Sequence, residues 1–308
     1  MRKRGWSLAL LVVLASVPFI AFALTPPKSE PPATPNPKQT ARSIPCHPGE
    51  VAMLGGAQWR CSFSDEFSGS SLDASKWVAQ RTSATGVQTG KECVSDSSNN
   101  VAVSAGVLNL TVRKEINSFV CPSPLGNYST RYTGGAVSTW ERFSQAYGRF
   151  EIRARFPAAT VPGLQSALWL YPQNLKYGPW PNSGEIDIAE AYSQYPDVVI
   201  PNLHYAHKAP DPTITNRHCS VSTPSEFHVY AAVWSPKSVT ITYDGKTCLV
   251  HTWNPAEPLA KPAPFDQPFI VCLSQGLGIR GNSFNPFSTP LPATMQVDYV
   301  RVWSNSVS

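Results

Sequence analysis

Charge is scarce in this chain of 308 residues: Asp, Glu, Lys and Arg together make up 15%, where a globular protein usually carries about a quarter. The formal net charge is +5, and Arg2, Lys3 and Arg4 supply three of those positive charges at the extreme N-terminus. The remainder is too weak and too scattered to form a polyanion footprint, which excludes nucleic acid as a partner. No C-x-x-C pair and no His/Cys cluster occurs, so zinc has no ligand set. Long stretches of helical period are missing, as are internal repeats. Beyond the N-terminal run, no segment is long and apolar enough to span a membrane. The chain is rich instead in aromatics and proline, with 9 Trp, 11 Tyr, 13 Phe and 30 Pro. Many aromatics with few charges fit a β-rich protein whose surface suits carbohydrate.

The first residues read as an export signal. A basic start precedes an almost wholly apolar run from Leu8 to Leu24, and Ala21-Phe22-Ala23 matches a small-x-small cleavage site. Residues 1–23 are therefore expected to be a signal peptide, with an uncleaved anchor as the alternative. Residues 24–45 hold seven prolines among Thr, Ser, Lys and Ala and read as a semi-extended tether. The rest, 46–308, is expected to be the working domain. Seven cysteines occur, at 46, 61, 93, 121, 219, 248 and 272. In an exported protein most are expected to pair. Cys46–Cys61, Cys93–Cys121 and Cys219–Cys248 are the expected pairs, although sequence does not fix connectivity. Cys272, inside the apolar run 269–273, is expected to be a buried free thiol.

Along 46–308, short strand signals recur between Gly, Pro, Asn and Asp. Residues 147–156 alternate, with Arg149, Glu151, Arg153 and Arg155 on one face and Phe150, Ile152, Ala154 and Phe156 on the other. Ala105-Gly106 and Asp244-Gly245 read as turns between strands. Many evenly spaced strands over this length predict an all-β sandwich of two sheets. Against that background residues 185–190, Glu-Ile-Asp-Ile-Ala-Glu, place three acids among apolar neighbours. Glu185 and Asp187 share a strand face, while Glu190 is at an odd offset and would point away. One bulged residue near Ile188 or Ala189 returns it to the same face, and bulges are common beside active sites. Two long acids flanking a short one suit retaining glycoside hydrolysis, which needs a nucleophile and an acid/base. The third acid would orient the nucleophile and raise the acid's pKa. The competing reading is a solvated edge strand made soluble by its acids.

The flanking blocks bear on that choice. Trp180-Pro181-x-x-Gly184-Glu185-Ile186-Asp187-Ile188-Ala189-Glu190 resembles the catalytic signature of glycoside hydrolase family 16, in its laminarinase-like, bulged form. Phe63 to Phe67, Tyr147 to Ala154, Ala167 to Leu170, Leu203 to Tyr205 and Val297 to Val302 resemble other blocks of that family, in the same order. The resemblance runs from about residue 60 to 304. It implies a β-jelly roll of two curved antiparallel sheets, concanavalin A-like, with the active site in the concave cleft. It implies Glu185 as nucleophile, Glu190 as acid/base and Asp187 as the helper between them. Trp169 and Trp180 are expected to line the glycone side and His204 the leaving-group side. No cofactor is needed for the chemistry. A structural calcium is implied at the positions of Glu66, Gly106 and Asp298.

Three blocks depart from the family pattern, one of them Trp140-Glu141, where laminarinases usually show small or basic residues. Leu164-Gln165-Ser166 stands where laminarinases carry Trp-Pro, and Leu273 to Gly278 replaces "LNLAVGG", which makes Gln275 a candidate sugar contact. The expected function is a retaining endo-glycosidase acting on a β-1,3- or mixed-linked glucan. The alternatives are the same chemistry on a galactan or another cell-wall polymer, transglycosylation, and non-catalytic glucan binding. The expected partner is a polysaccharide. Nucleic acid is not expected, membrane contact would come only through an uncleaved N-terminus, and the protein is expected to be a monomer. The expected location is outside the cell or in the envelope.

Overall fold

The computed structural model describes residues 46–305, save 55 and 209; the signal and tether assigned to 1–45 lie outside the described residues. The only α-helix among these residues is the single turn Thr82–Thr85, and no helix is long and apolar enough to cross a membrane. One sheet carries, in order, Val199–His204, Glu185–Tyr192, Leu164–Pro172, Phe269–Leu277 and Tyr128–Ser138, each antiparallel to the next. The second runs Ala293–Asn305, Gly148–Arg155, His228–Trp234, Val239–Tyr243 and Lys246–His251, again antiparallel. On the far side of Ala293–Asn305 lie Ala57–Asp65 and the first half of Val107–Cys121. The second half of Val107–Cys121 crosses over to pair with Tyr128–Ser138, so one long strand stitches the two sheets together.

The alternating pattern explains which faces meet. Phe150, Ile152 and Ala154 are fully buried. They pack with Tyr230, Trp234 and Ile241 of their own sheet against Leu168, Leu170, Ile186, Val271 and Leu273 of the other. Trp234 meets Phe269 edge-on with ring centroids 5.0 Å apart, a geometry that aromatic quadrupoles favour. On the outer face Arg149 pairs with Glu151 and Arg153 with Asp298. The Asp244-Gly245 turn has φ of 48° and 77°, the left-handed pair that suits a tight hairpin.

Three disulfides form, Cys46–Cys61, Cys93–Cys121 and Cys219–Cys248, while Cys272 is free and buried. Each bridge contributes about 2–4 kcal/mol where it shortens the loops of the unfolded chain. Together they fit an oxidising compartment.

Candidate active site

The strand Glu185–Tyr192 is launched by a pinned loop. Ser183 Oγ accepts from Tyr177 N at 3.0 Å and donates to the Gly178 carbonyl at 2.7 Å, and Gln267 Nε2 donates to the Ser183 carbonyl at 3.0 Å. Gly184 follows with φ of 85°. A Cβ there would meet the Phe265 ring at 2.9 Å, so only glycine fits.

Register then sorts the side chains. Asp187 lies opposite Trp169, but the next pairs are Ala189 with Leu168 and Glu190 with Ala167. The shift between Asp187 and Ala189 is a bulge, and it turns Glu190 to the face shared by Glu185 and Asp187. The bulge leaves the Ile188 carbonyl inside the core. Tyr243 of the opposite sheet donates its hydroxyl to that carbonyl at 2.9 Å, satisfying a group that would be costly to bury alone.

Burial raises the pKa values of all three carboxyl groups. Burial pushes Glu185 well above the ordinary carboxylate range, and Asp187 adds to the shift. Asp187, 3% exposed, is pushed well up by burial and by the charge of Glu190. Glu190 is raised by burial, against the pull of hydrogen bonds from Tyr192 and Gln165. Glu185 and Asp187 act on each other in opposite senses: Asp187 raises the pKa of Glu185, while Glu185 pulls that of Asp187 down against its burial.

His204 lies opposite Glu185, with Nε2 3.1 Å from Asp187 Oδ2 and 3.1 Å from Asn202 Nδ2. Its ring stands 5.4 Å from Trp180. His204 thus joins Trp180 at the rim to Asp187 on the carboxylate face. Trp180 is 54% exposed at the rim, and Trp169, opposite Asp187, lies on the floor against Tyr171. Donor atoms of Glu185, Asp187 and His204 come within 4.8 Å of one another, a set that could hold a divalent cation.

Gln275 requires a correction. It lies opposite Ser166, one residue out of phase with the Ala167 that faces Glu190. It therefore points inward, 1% exposed, and accepts from Ser166 Oγ at 2.5 Å. Cys272, opposite Trp169, is the residue on the cleft face. Burial pushes its thiol well up, with Glu185 and Asp187 adding to the effect, so it stays an inert thiol.

The calcium positions lie on the other sheet. Glu66 accepts from Arg301 Nε at 2.8 Å and Nη2 at 2.7 Å, Asp298 is ion-paired to Arg153, and Gly106 is a hairpin tip with open space around it. The implied site draws on backbone carbonyls at Glu66 and Gly106 with the Asp298 carboxylate, and of these only Asp298 would have to give up a guanidinium partner to bind a cation. Sequence reasoning missed Tyr192 and Tyr243, and named Gln165 only within a block that departs from the family pattern. Tyr192 had a signal, two places after Glu190 and so on its face.

A family model described as the GH16 domain of β-porphyranases A–D matches residues 59–305. The chain is 34% identical to a β-glucanase of Rhodothermus marinus over 80% of its own length and 85% of the relative's. It is 33% identical to glucan endo-1,3-β-glucosidase A1 of Niallia circulans over 78% of its own length, but spans only 37% of that protein. The structure of an endo-β-1,3-glucanase from Pyrococcus furiosus superposes with a TM-score of 0.70 at 27% identity, covering 83% of this chain and 98% of that one.

Proposed function

The chain belongs to glycoside hydrolase family 16, and on that footing we propose that it is a retaining endo-glycosidase of a β-1,3- or mixed-linked glucan. The observation that carries the proposal is the set of three carboxyl groups turned to one face by the bulge after Asp187. In the first step Glu185 attacks the anomeric carbon while Glu190 protonates the departing glycosidic oxygen. In the second, Glu190 takes a proton from water, the water oxygen bonds to the anomeric carbon, and Glu185 leaves. Asp187, beside Glu185 on the same face, is the helper that orients it for attack. Raised carboxyl pKa values place both limbs of the pH–rate profile above those of ordinary carboxylates. Trp180 offers an exposed indole face for a sugar ring. Trp169 Nε1 and Asn202 Oδ1, buried without a hydrogen-bond partner among the described residues, offer one donor and one acceptor. The protein works as a secreted or envelope-bound enzyme, consistent with its three disulfides.

The description of the matching family model favours a second reading, the same chemistry on another β-linked polysaccharide such as porphyran or a galactan. The test is reducing-end release by the purified protein from laminarin, lichenan, porphyran, agarose and arabinogalactan, beside Glu185→Gln. Release from laminarin or lichenan that disappears in the variant is expected. Release only from a galactan selects the second reading, and undiminished release by a folded Glu185→Gln removes the nucleophile assignment.

A further inference from the structure

Glu190 is gripped by one oxygen only. Tyr192 donates its hydroxyl to Glu190 Oε1 at 2.7 Å, and Gln165 Nε2 donates to the same oxygen at 2.9 Å. Gln165 also reaches the Tyr192 hydroxyl at 3.3 Å. No hydrogen bond from the described residues goes to Oε2. We infer that Gln165 and Tyr192 are positioning residues that hold Oε1 as a permanent acceptor, so that Oε2 alone gives and takes the proton. The inference rests on reading Glu190 as the acid/base.

The register builds this grip. Tyr192 follows Glu190 by two residues on one strand, and Gln165 is the cross-strand partner of Tyr192. Opposite Glu190 itself stands Ala167, too short to fill the space, so Gln165 can lean in. The ends of both strands are tied by Asn282, 2% exposed. Its Oδ1 accepts from Gly163 N and Gln194 N, each at 3.1 Å, and its Nδ2 donates to the Leu164 carbonyl at 2.8 Å. Ser193 Oγ accepts from Leu164 N at 2.9 Å. The two donors therefore stand on fixed backbone rather than on loops.

A retaining cycle asks one carboxyl group to be an acid and then a base. Burial alone would favour the neutral acid and leave a poor second step. Two donors on Oε1 favour the anion without competing for the proton on Oε2. They also stop the carboxyl group from flipping, which would exchange a free oxygen for an occupied one. Other groups act on Glu190 as well: Glu185 and Asp187 on its own strand, His204 on the neighbouring strand, Arg217 in the loop beyond it, and the Tyr243 phenol across the core. Among the described residues none of these is hydrogen-bonded to Glu190, so the grip on Oε1 is specific to Gln165 and Tyr192.

The sign follows. Removing a donor to the anion raises the pKa of Glu190, and the basic limb of the rate profile, set by the acid, moves to higher pH. For Tyr192→Phe the expected shift in kcat/KM on laminarin (or the polymer that the panel above identifies) is about one pH unit, the scale of one hydrogen bond to a charged group. Gln165→Leu should shift it the same way by less. Gln165→Glu, which sets a like charge beside Glu190, should shift it further. kcat is expected to fall by about tenfold with KM held within about twofold. An unmoved limb in folded Tyr192→Phe and Gln165→Leu overturns the inference, and so does a rise in KM at constant kcat, which would make these residues sugar contacts. Glu190→Gln serves as the control, assayed on a dinitrophenyl β-laminaribioside with and without azide. Recovery of turnover by azide, with formation of the β-glycosyl azide, upholds the acid/base reading. No recovery overturns that reading, whatever the Tyr192 and Gln165 variants do.

Discussion

The fold would be more stable without the charge of Asp187. Its carboxyl group is 3% exposed, and burial with the neighbouring Glu190 charge holds its pKa well above the ordinary range. Below about pH 4 the unfolded chain carries the proton too, and this group then adds no pH dependence. As the pH rises, the unfolded chain releases the proton first while the folded protein resists. Stability is therefore lost up to the folded pKa. Asp187→Asn keeps the size, can still donate to Glu185 through its amide, and does not ionise. The two proteins should match at pH 4. At pH 8 the variant should be more stable by about 1–3 kcal/mol, the usual gain from replacing a buried charge by a neutral group of the same shape. For a domain of this size that is roughly 2–10 °C in Tm. Thermal unfolding from pH 4 to pH 8 reads the difference directly. An equal or lower Tm for the variant at pH 8, or a wild-type slope against pH, would refute the argument. Turnover should fall in the same variant, though less than in Glu185→Gln, because the amide still orients its neighbour.

Trp180→Ala removes an indole that is 54% exposed, so KM on laminarin should rise while stability stays within about 0.5 kcal/mol of wild type. Tyr243→Phe leaves the Ile188 carbonyl unpaired in the core; chemical denaturation should show a loss of about 1–3 kcal/mol, and activity should drop because the bulge that aims Glu190 loses its support. Gln275→Ala should cost about 1–3 kcal/mol through the unpaired Ser166 hydroxyl and leave KM unchanged; a specific rise in KM would return Gln275 to the cleft.

The carboxylate face was readable because a strand has a period of two and Glu190 breaks it. An acid on the wrong parity amid Ile and Ala reads either as a solvated edge or as a bulge; the flanking blocks favoured the bulge, and the register shift lies between Asp187 and Ala189. Gln275 was misread because Phe269–Leu277 is buried on both faces. Without alternation no face can be named, and a shift of one residue reverses every side chain. Tyr243 was invisible because its task, completing a carbonyl on the facing sheet, depends on how two sheets stack. The guanidinium partners of Glu66 and Asp298 likewise come from cross-strand neighbours that no local pattern reveals.

The segment Ala293–Asn305 runs through the middle of its sheet, with Gly148–Arg155 on one side and Val107–Cys121 and Ala57–Asp65 on the other. It is also the last strand of the fold to leave the ribosome. A nascent chain that stops before residue 293 has both flanks of that sheet and no centre to join them, with the cleft sheet lacking its backing. Folding must therefore wait for the final dozen residues of the described domain, since pairings this distant in sequence close late. Until then the two flanks of that sheet have no centre to pair with.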